Sequence, residues 1–312
     1  RIPDMNSIKL GKNIKENYPR KPIILLAFDE SEIKRITIKQ KKYFDEIFIW
    51  EGNSNIFPAI IKYIEDKKNV KRDIRKADIR TIIFIEDTPK FYSKILPIIY
   101  KEIIFYTKKL IDKSLNQTQK LLHMRGRPRI LLATNYEDAI KLVQKYYLNV
   151  LGVITDVRFP IKNKKDNNAG IKLIKEIRKL DKAIPIIIQS NQKIPLNQLK
   201  LYSAKFINKN SPTLFQELRK LMLHDFGFGD FEFRLPQGKI ISKATNIEEL
   251  IKNIKEIPDK SLFFHISNNH LSNWLSTRGE FQIASQFRAI KNDDFKDIKE
   301  RRGYHLKLLN QL

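Results

Sequence analysis

Short apolar runs, each closed by a polar residue, alternate along the middle of the chain with stretches whose apolar positions fall at helical spacing. The runs are Thr81-Ile-Ile-Phe-Ile85, Arg129-Ile-Leu-Leu-Ala133, Leu151-Gly-Val-Ile-Thr-Asp156, Pro185-Ile-Ile-Ile-Gln-Ser190 and Ala204-Lys-Phe-Ile-Asn-Lys209. Runs of this length without polar alternation predict strands buried on both faces, and helices between them predict a parallel α/β sheet. The intervening helices are expected at Tyr136–Tyr147, Ala169–Leu180 and Leu196–Ser203, with a last one opened by Ser211-Pro-Thr and running to Leu223. After Asp87-Thr-Pro the helical pattern is long, from about residue 90 to 124, with Pro97 as a possible kink and Thr107–Met124 projecting as an arm.

The flanks read differently. Residues 1–72 repeat the back half of the middle segment: Arg1-Ile-Pro3 matches Arg158-Phe-Pro160, Ile8-Lys-Leu10 matches Ile171-Lys-Leu173, and Pro22–Ala27 matches Pro185–Ser190. Phe44–Trp50 parallels Ser203–Lys209, and Ile56–Asp66 reads as the closing helix, followed by a charged linker over Lys67–Ala77. In this copy Ala27 and Trp50 stand at the hydroxyl and lysine positions, which favours a structural or dimerising role, with an open sheet edge expected. From residue 226 to 312 a small α+β connector is expected: a hairpin around Pro236-Gln-Gly238, a helix Ile247–Ile257, a helical region Leu262–Arg288, and a charged linker from Lys291.

Chemistry concentrates where the middle strands end. In open α/β sheets, ligands sit beyond the carboxyl ends of the strands. Glu86-Asp87 follows the first run, Asp156 closes the third, Ser190 the fourth and Lys209 the fifth. Three carboxylates at one edge repel one another unless a cation joins them, and an all-oxygen donor set suits Mg²⁺ rather than zinc. The set fits phosphoryl transfer, with Asp156 as nucleophile and Ser190 and Lys209 binding the remaining phosphoryl oxygens. His123 stands at a helix end, and the five-residue spacing of His265 and His270 does not suit a helical zinc pair.

Composition adjusts this reading little. The net charge is +25, from 60 Lys+Arg against 35 Asp+Glu, but the lysines are spread over nearly every helix. Without a recognisable nucleic-acid motif, the excess is read as solvated surface, and no specific nucleic acid is expected as a partner. The absence of cysteine excludes disulfides and thiolate metal sites. With no membrane-length apolar run and no signal peptide, a cytoplasmic location is expected. The first residue is Arg, so the chain is expected to be part of a longer protein.

Residues 73–225 resemble the receiver domain of bacterial two-component response regulators, on Glu86-Asp87, Asp156, Ser190 and Lys209, with Phe206 at the family's switch aromatic. The resemblance implies a flavodoxin-like sheet in the order 2-1-3-4-5, phosphorelay signalling through Asp156, and Mg²⁺ held by Glu86, Asp87 and Asp156. It further implies a histidine kinase or other phosphodonor as partner and an output domain, or a homodimer, as the responding element. Residues 1–72 then resemble a partial, degenerate receiver. The chain would accept phosphoryl groups without being a turnover enzyme. Phe226-Gly-Phe-Gly-Asp and His270-Leu-Ser-Asn-Trp-Leu also resemble the regulatory part of proteins with a downstream phosphoenolpyruvate synthase-like domain. Asn191, Asn210 and the Lys-rich insert Ile161–Asn168 leave open a pseudo-receiver used only for docking; a basic nucleic-acid-binding regulator is the remaining alternative.

Overall fold

The computed structural model describes residues 6–112, 114, 116–191, 194–290 and 294–312. Its centre is a five-stranded parallel sheet flanked by helices, with a two-stranded unit before it and a helical unit after it. The strands are β1 (Ile24–Ala27), β2 (Glu46–Ile49), β3 (Thr81–Ile85), β4 (Arg129–Ala133), β5 (Val150–Asp156), β6 (Phe159–Ile161), β7 (Lys164–Asp166), β8 (Ile186–Ser190), β9 (Ala204–Asn208), β10 (Phe231–Arg234) and β11 (Ile240–Ala244).

The central order is β4-β3-β5-β8-β9. In whole-chain labels this is not 2-1-3-4-5, because β1 and β2 precede the sheet and the β6–β7 ribbon falls between its third and fourth members. Counted within the sheet, the second strand flanks the first, and the third, fourth and fifth follow on the other side. All four pairings are parallel. Burial follows the strand pattern: every residue of β3, β5 and β8 is buried. One face packs Ile82, Phe84, Leu151, Ile154 and Ile187 against the helices; the other packs Ile83, Ile85, Val153, Ile186 and Ile188.

Several local expectations are corrected. The charged stretch Lys67–Ala77 is not a linker but the second half of one helix, Ile56–Ala77, which contains residue 72. Val70 and Ile74 pack with Leu131 and Tyr146. The buried Asp66 receives two bonds from Arg127, at 2.5 and 3.1 Å, one from the Tyr100 hydroxyl at 3.0 Å and one from the Ile130 backbone N–H at 2.9 Å. Charge in this stretch therefore marks a satisfied interface, as buried charges require.

The extended helix expected over 90–124 is two helices, Pro89–Asp112 and Gln117–Arg125. Between them the Ser114 hydroxyl donates to the Leu110 carbonyl at 3.0 Å and lies 2.8 Å from His123 Nδ1, tying the second helix back on the first. Residues 113 and 115 of the expected helix lie outside the described residues, as does Arg1-Ile-Pro3 of the repeat. The tail from Lys291 includes a helix, Ile298–Leu309, whose Arg301, His305, Leu308 and Leu309 are buried.

The half-sheet β1–β2 does not leave β2 open. The Ile49 N–H donates to Ser93 Oγ at 2.9 Å and the Ile47 carbonyl accepts from the Tyr92 hydroxyl, so helix Pro89–Asp112 covers that edge. The C-terminal unit has its own core around Phe233, Leu250, Leu262, Trp274 and Leu275. It docks near the start of β3 and β5: Arg80 donates to Ser276 Oγ at 3.0 Å, and Arg288 donates to the Val150 carbonyl at 2.9 Å. Among the described residues, no helix is long and apolar enough to cross a membrane.

Candidate metal and phosphoryl site

Parallel strands put their carboxyl ends on one edge, and β3, β5, β8 and β9 deliver the chemistry there. Asp156 and Ser190 are the last residues of β5 and β8, Glu86 follows β3 and Lys209 follows β9. Register brings Asp156 beside Gln189, and the Lys209 N–H donates to the Ser190 carbonyl at 3.0 Å. One ligand oxygen from each of Glu86, Asp87 and Asp156 lies within 4.8 Å of the others. Of the sequence-predicted residues, the three acids and Lys209 form one cluster. Ser190 is buried at the same edge. Phe206 is not in the acid cluster; it is half-buried on the sheet face shared with Ile188, its register partner.

Lys209 is the internal cation. Its Nζ lies 2.5 Å from Glu86 Oε2 and 2.8 Å from Asp156 Oδ2, and 4.5 Å from the centroid of the Phe91 ring. Glu86 is fully buried and also accepts from Gln189 Nε2 at 3.3 Å and from the Thr88 N–H at 3.2 Å. Burial pushes its carboxyl up to about 7, opposed by Lys209 and aided by the negative charge of Asp156. Asp156 Oδ1 accepts from the Val157 N–H at 2.6 Å.

Asp87 is half-buried and Asp156 buried, each keeping a slight side-chain exposure, 14% and 12%. The β6–β7 ribbon, turning on Lys162 and Asn163 with φ of 49° and 63°, brings Lys165 Nζ to 3.2 Å from Asp87 Oδ2. Two lysines thus meet three carboxylates, leaving a formal deficit of one positive charge when all three acids are ionised. A hard divalent cation suits this all-oxygen set, with Glu86, Asp87 and Asp156 as the residues to hold it.

The sequence reading missed Lys165, Gln189 and Phe91. A polar residue inside an apolar strand marked Gln189, whereas one lysine in a Lys-rich ribbon carries no distinguishing signal. It also missed the reason for Gly170: a Cβ there would sit 2.2 Å from the Asp156 carbonyl oxygen, so only glycine lets helix Ala169–Leu180 start this close to the site. His123 is half-buried beside Ser114, and desolvation lowers its pKa. His265 and His270 lie in the C-terminal unit, with their Nδ1 atoms 3.0 Å apart.

No protein-family model matches the sequence, and a search of curated proteins finds no match.

Proposed function

We propose that the central unit is a flavodoxin-like receiver that accepts a phosphoryl group on Asp156. The observation that carries this reading is the convergence of Glu86, Asp87, Asp156 and Lys209 from three strand ends into one cluster with a solvent-facing side. In the proposed reaction, a carboxylate oxygen of Asp156 attacks the phosphorus of an acyl phosphate or phosphohistidine. The new O–P bond forms as the donor's O–P or N–P bond breaks, and the leaving group takes the electron pair. Lys209 is already within ion-pair distance of Asp156 and can follow the charge from carboxylate to phosphoryl oxygen. Ser190, one strand over, offers a hydroxyl to another oxygen. Mg²⁺ on the three carboxylates would supply charge neutralisation for the phosphoryl oxygens. The phosphoryl group would then bias the β8–β9 region, including Phe206, toward an output element or a second copy.

A docking-only pseudo-receiver is the second reading, favoured by the Lys165–Asp87 pair, which satisfies a metal ligand with a lysine from the ribbon. The two readings separate by intact mass of the full chain after acetyl phosphate, with Mg²⁺ or with EDTA. The receiver reading expects one phosphoryl adduct that needs Mg²⁺ and disappears in Asp156→Asn. No adduct, together with no Mg²⁺ binding, leaves only the docking role.

A further inference from the structure

A second site lies away from the acids, at the amino ends of β8 and β9. A cavity of about 610 Å³ opens between this part of the sheet and the C-terminal unit, within the roughly 300–1,000 Å³ range of small-molecule sites. Its walls include Ile184, Pro185, Ile187, Phe206 and Phe264. Its charged lining is one-sided: Arg178, Lys182, Lys200, Lys205 and Arg234 against Asp225 alone. Arg178 is spent on backbone carbonyls, donating to Tyr202 at 2.8 Å and to Ile184 at 2.7 Å. Lys182, Lys200 and Lys205 are exposed and form no ion pair among the described residues.

A hydrogen-bond relay fixes one further donor. The Arg234 backbone N–H donates to His265 Nε2 at 2.8 Å, so His265 carries its proton on Nδ1. That proton faces His270 Nδ1 at 3.0 Å, which must accept it. His270 therefore keeps its own proton on Nε2, and His270 lines the cavity. Burial holds both rings neutral, lowering them to about 2 and about 3, with each relay partner in its stated role.

We propose that this cavity binds a nucleoside monophosphate or a close analogue, a small phosphorylated molecule with a flat ring. The ring lies against the apolar wall with Phe206 and Phe264. The dianion is met by Lys200 and Lys205, and His270 Nε2–H donates to a ligand oxygen or ring nitrogen. An anion with no ring leaves the apolar wall unused, and an uncharged nucleoside leaves the lysines unused. Phe206 belongs to both the cavity wall and β9, the strand that Lys209 follows at its other end.

The test is calorimetric titration of the full chain with AMP, and in parallel with adenosine and with inorganic phosphate. AMP is expected to bind saturably, and each half-ligand at least about tenfold more weakly. The exposed pair Lys200→Ala/Lys205→Ala, which removes no packing from the core, is expected to weaken AMP at least about tenfold, corresponding to roughly 1.4 kcal/mol. Asp156→Asn is expected to leave AMP binding unchanged, so the result is independent of phosphoryl acceptance at Asp156. No saturable AMP binding, equal binding of phosphate alone, or an affinity unchanged in the double variant would each overturn the proposal; the last would mean diffuse attraction to the protein's net positive charge.

Discussion

The two-stranded unit and the central sheet share a geometry but end in opposite chemistry. β1 pairs with β2 so that Ala27 faces Ile49, and the Trp50 N–H donates to the Ala27 carbonyl at 2.8 Å. β8 pairs with β9 so that Ser190 faces Asn208, and the Lys209 N–H donates to the Ser190 carbonyl at 3.0 Å. The backbone step is the same in both. In one unit it presents a hydroxyl and an ammonium. In the other it presents a methyl and an indole, with the indole centroid 6.0 Å from both Phe28 and Phe57. A strand pair can thus keep its register while its carboxyl end changes from a polar site to an aromatic cap. The first unit's burial is spent on Tyr63, Phe48 and Tyr92, which join it to the central core.

The largest expected effect comes from removing the cation that Trp50 replaces in the first unit. Lys209→Met leaves Glu86 buried without its ion-pair partner, at a cost of roughly 3 kcal/mol, read as a lower denaturant midpoint with unchanged m. A stability equal to the parent's would mean the cluster is not held by Lys209. Gly170→Ala comes next. Its Cβ would meet backbone at 2.2 Å from the Asp156 oxygen and 3.0 Å from Val157 Cα, costing about 2 kcal/mol. The same denaturation experiment measures it, and neutrality would contradict that close approach.

Acid titration sharpens the comparison further. Glu86 after β3 and half-buried Glu46 at the start of β2 are both raised by burial; Glu46 accepts from the Tyr63 hydroxyl at 3.2 Å. A raised carboxyl binds its proton more tightly in the folded state. Its stabilising contribution is full below the ordinary 4.5 and is lost as pH rises through the folded value, about 7 for Glu86. Glu86→Gln and Glu46→Gln should each flatten the pH dependence of stability. Saturating Mg²⁺ should do so for the Glu86 component alone. Suppression of both components by Mg²⁺ would place the ion elsewhere. Lys165→Ala is the smallest change: its exposed pair contributes under about 1 kcal/mol, yet freeing Asp87 should raise Mg²⁺ affinity several-fold by titration.

The sheet was legible because β3, β5 and β8 are buried on both faces, which leaves their middles apolar and their polar residues near the ends. The acid cluster was legible for the same reason: each polar residue closes an apolar run. What pattern could not reveal depends on partners distant in sequence. Asp66 is one charge among many in a basic helix until Arg127 and Tyr100 fold onto it. The return of helix Gln117–Arg125 toward helix Pro89–Asp112 brings Ser114 to Leu110 and His123, a contact that helical spacing does not announce. Helix Ile298–Leu309 has a weak amphipathic pattern and buries Arg301 and His305, so its composition resembles a solvated tail. The cavity was invisible because it is built from the sheet's amino edge and a unit that follows it.

The most direct test of the difference between the two units is to locate the modified residue. After treatment of the full chain with acetyl phosphate and Mg²⁺, borohydride reduction converts an aspartyl phosphate to homoserine, and peptide mapping reads its position. The account predicts homoserine at Asp156 and none in residues 6–77. Reduction at any other acid, or at none, would contradict it.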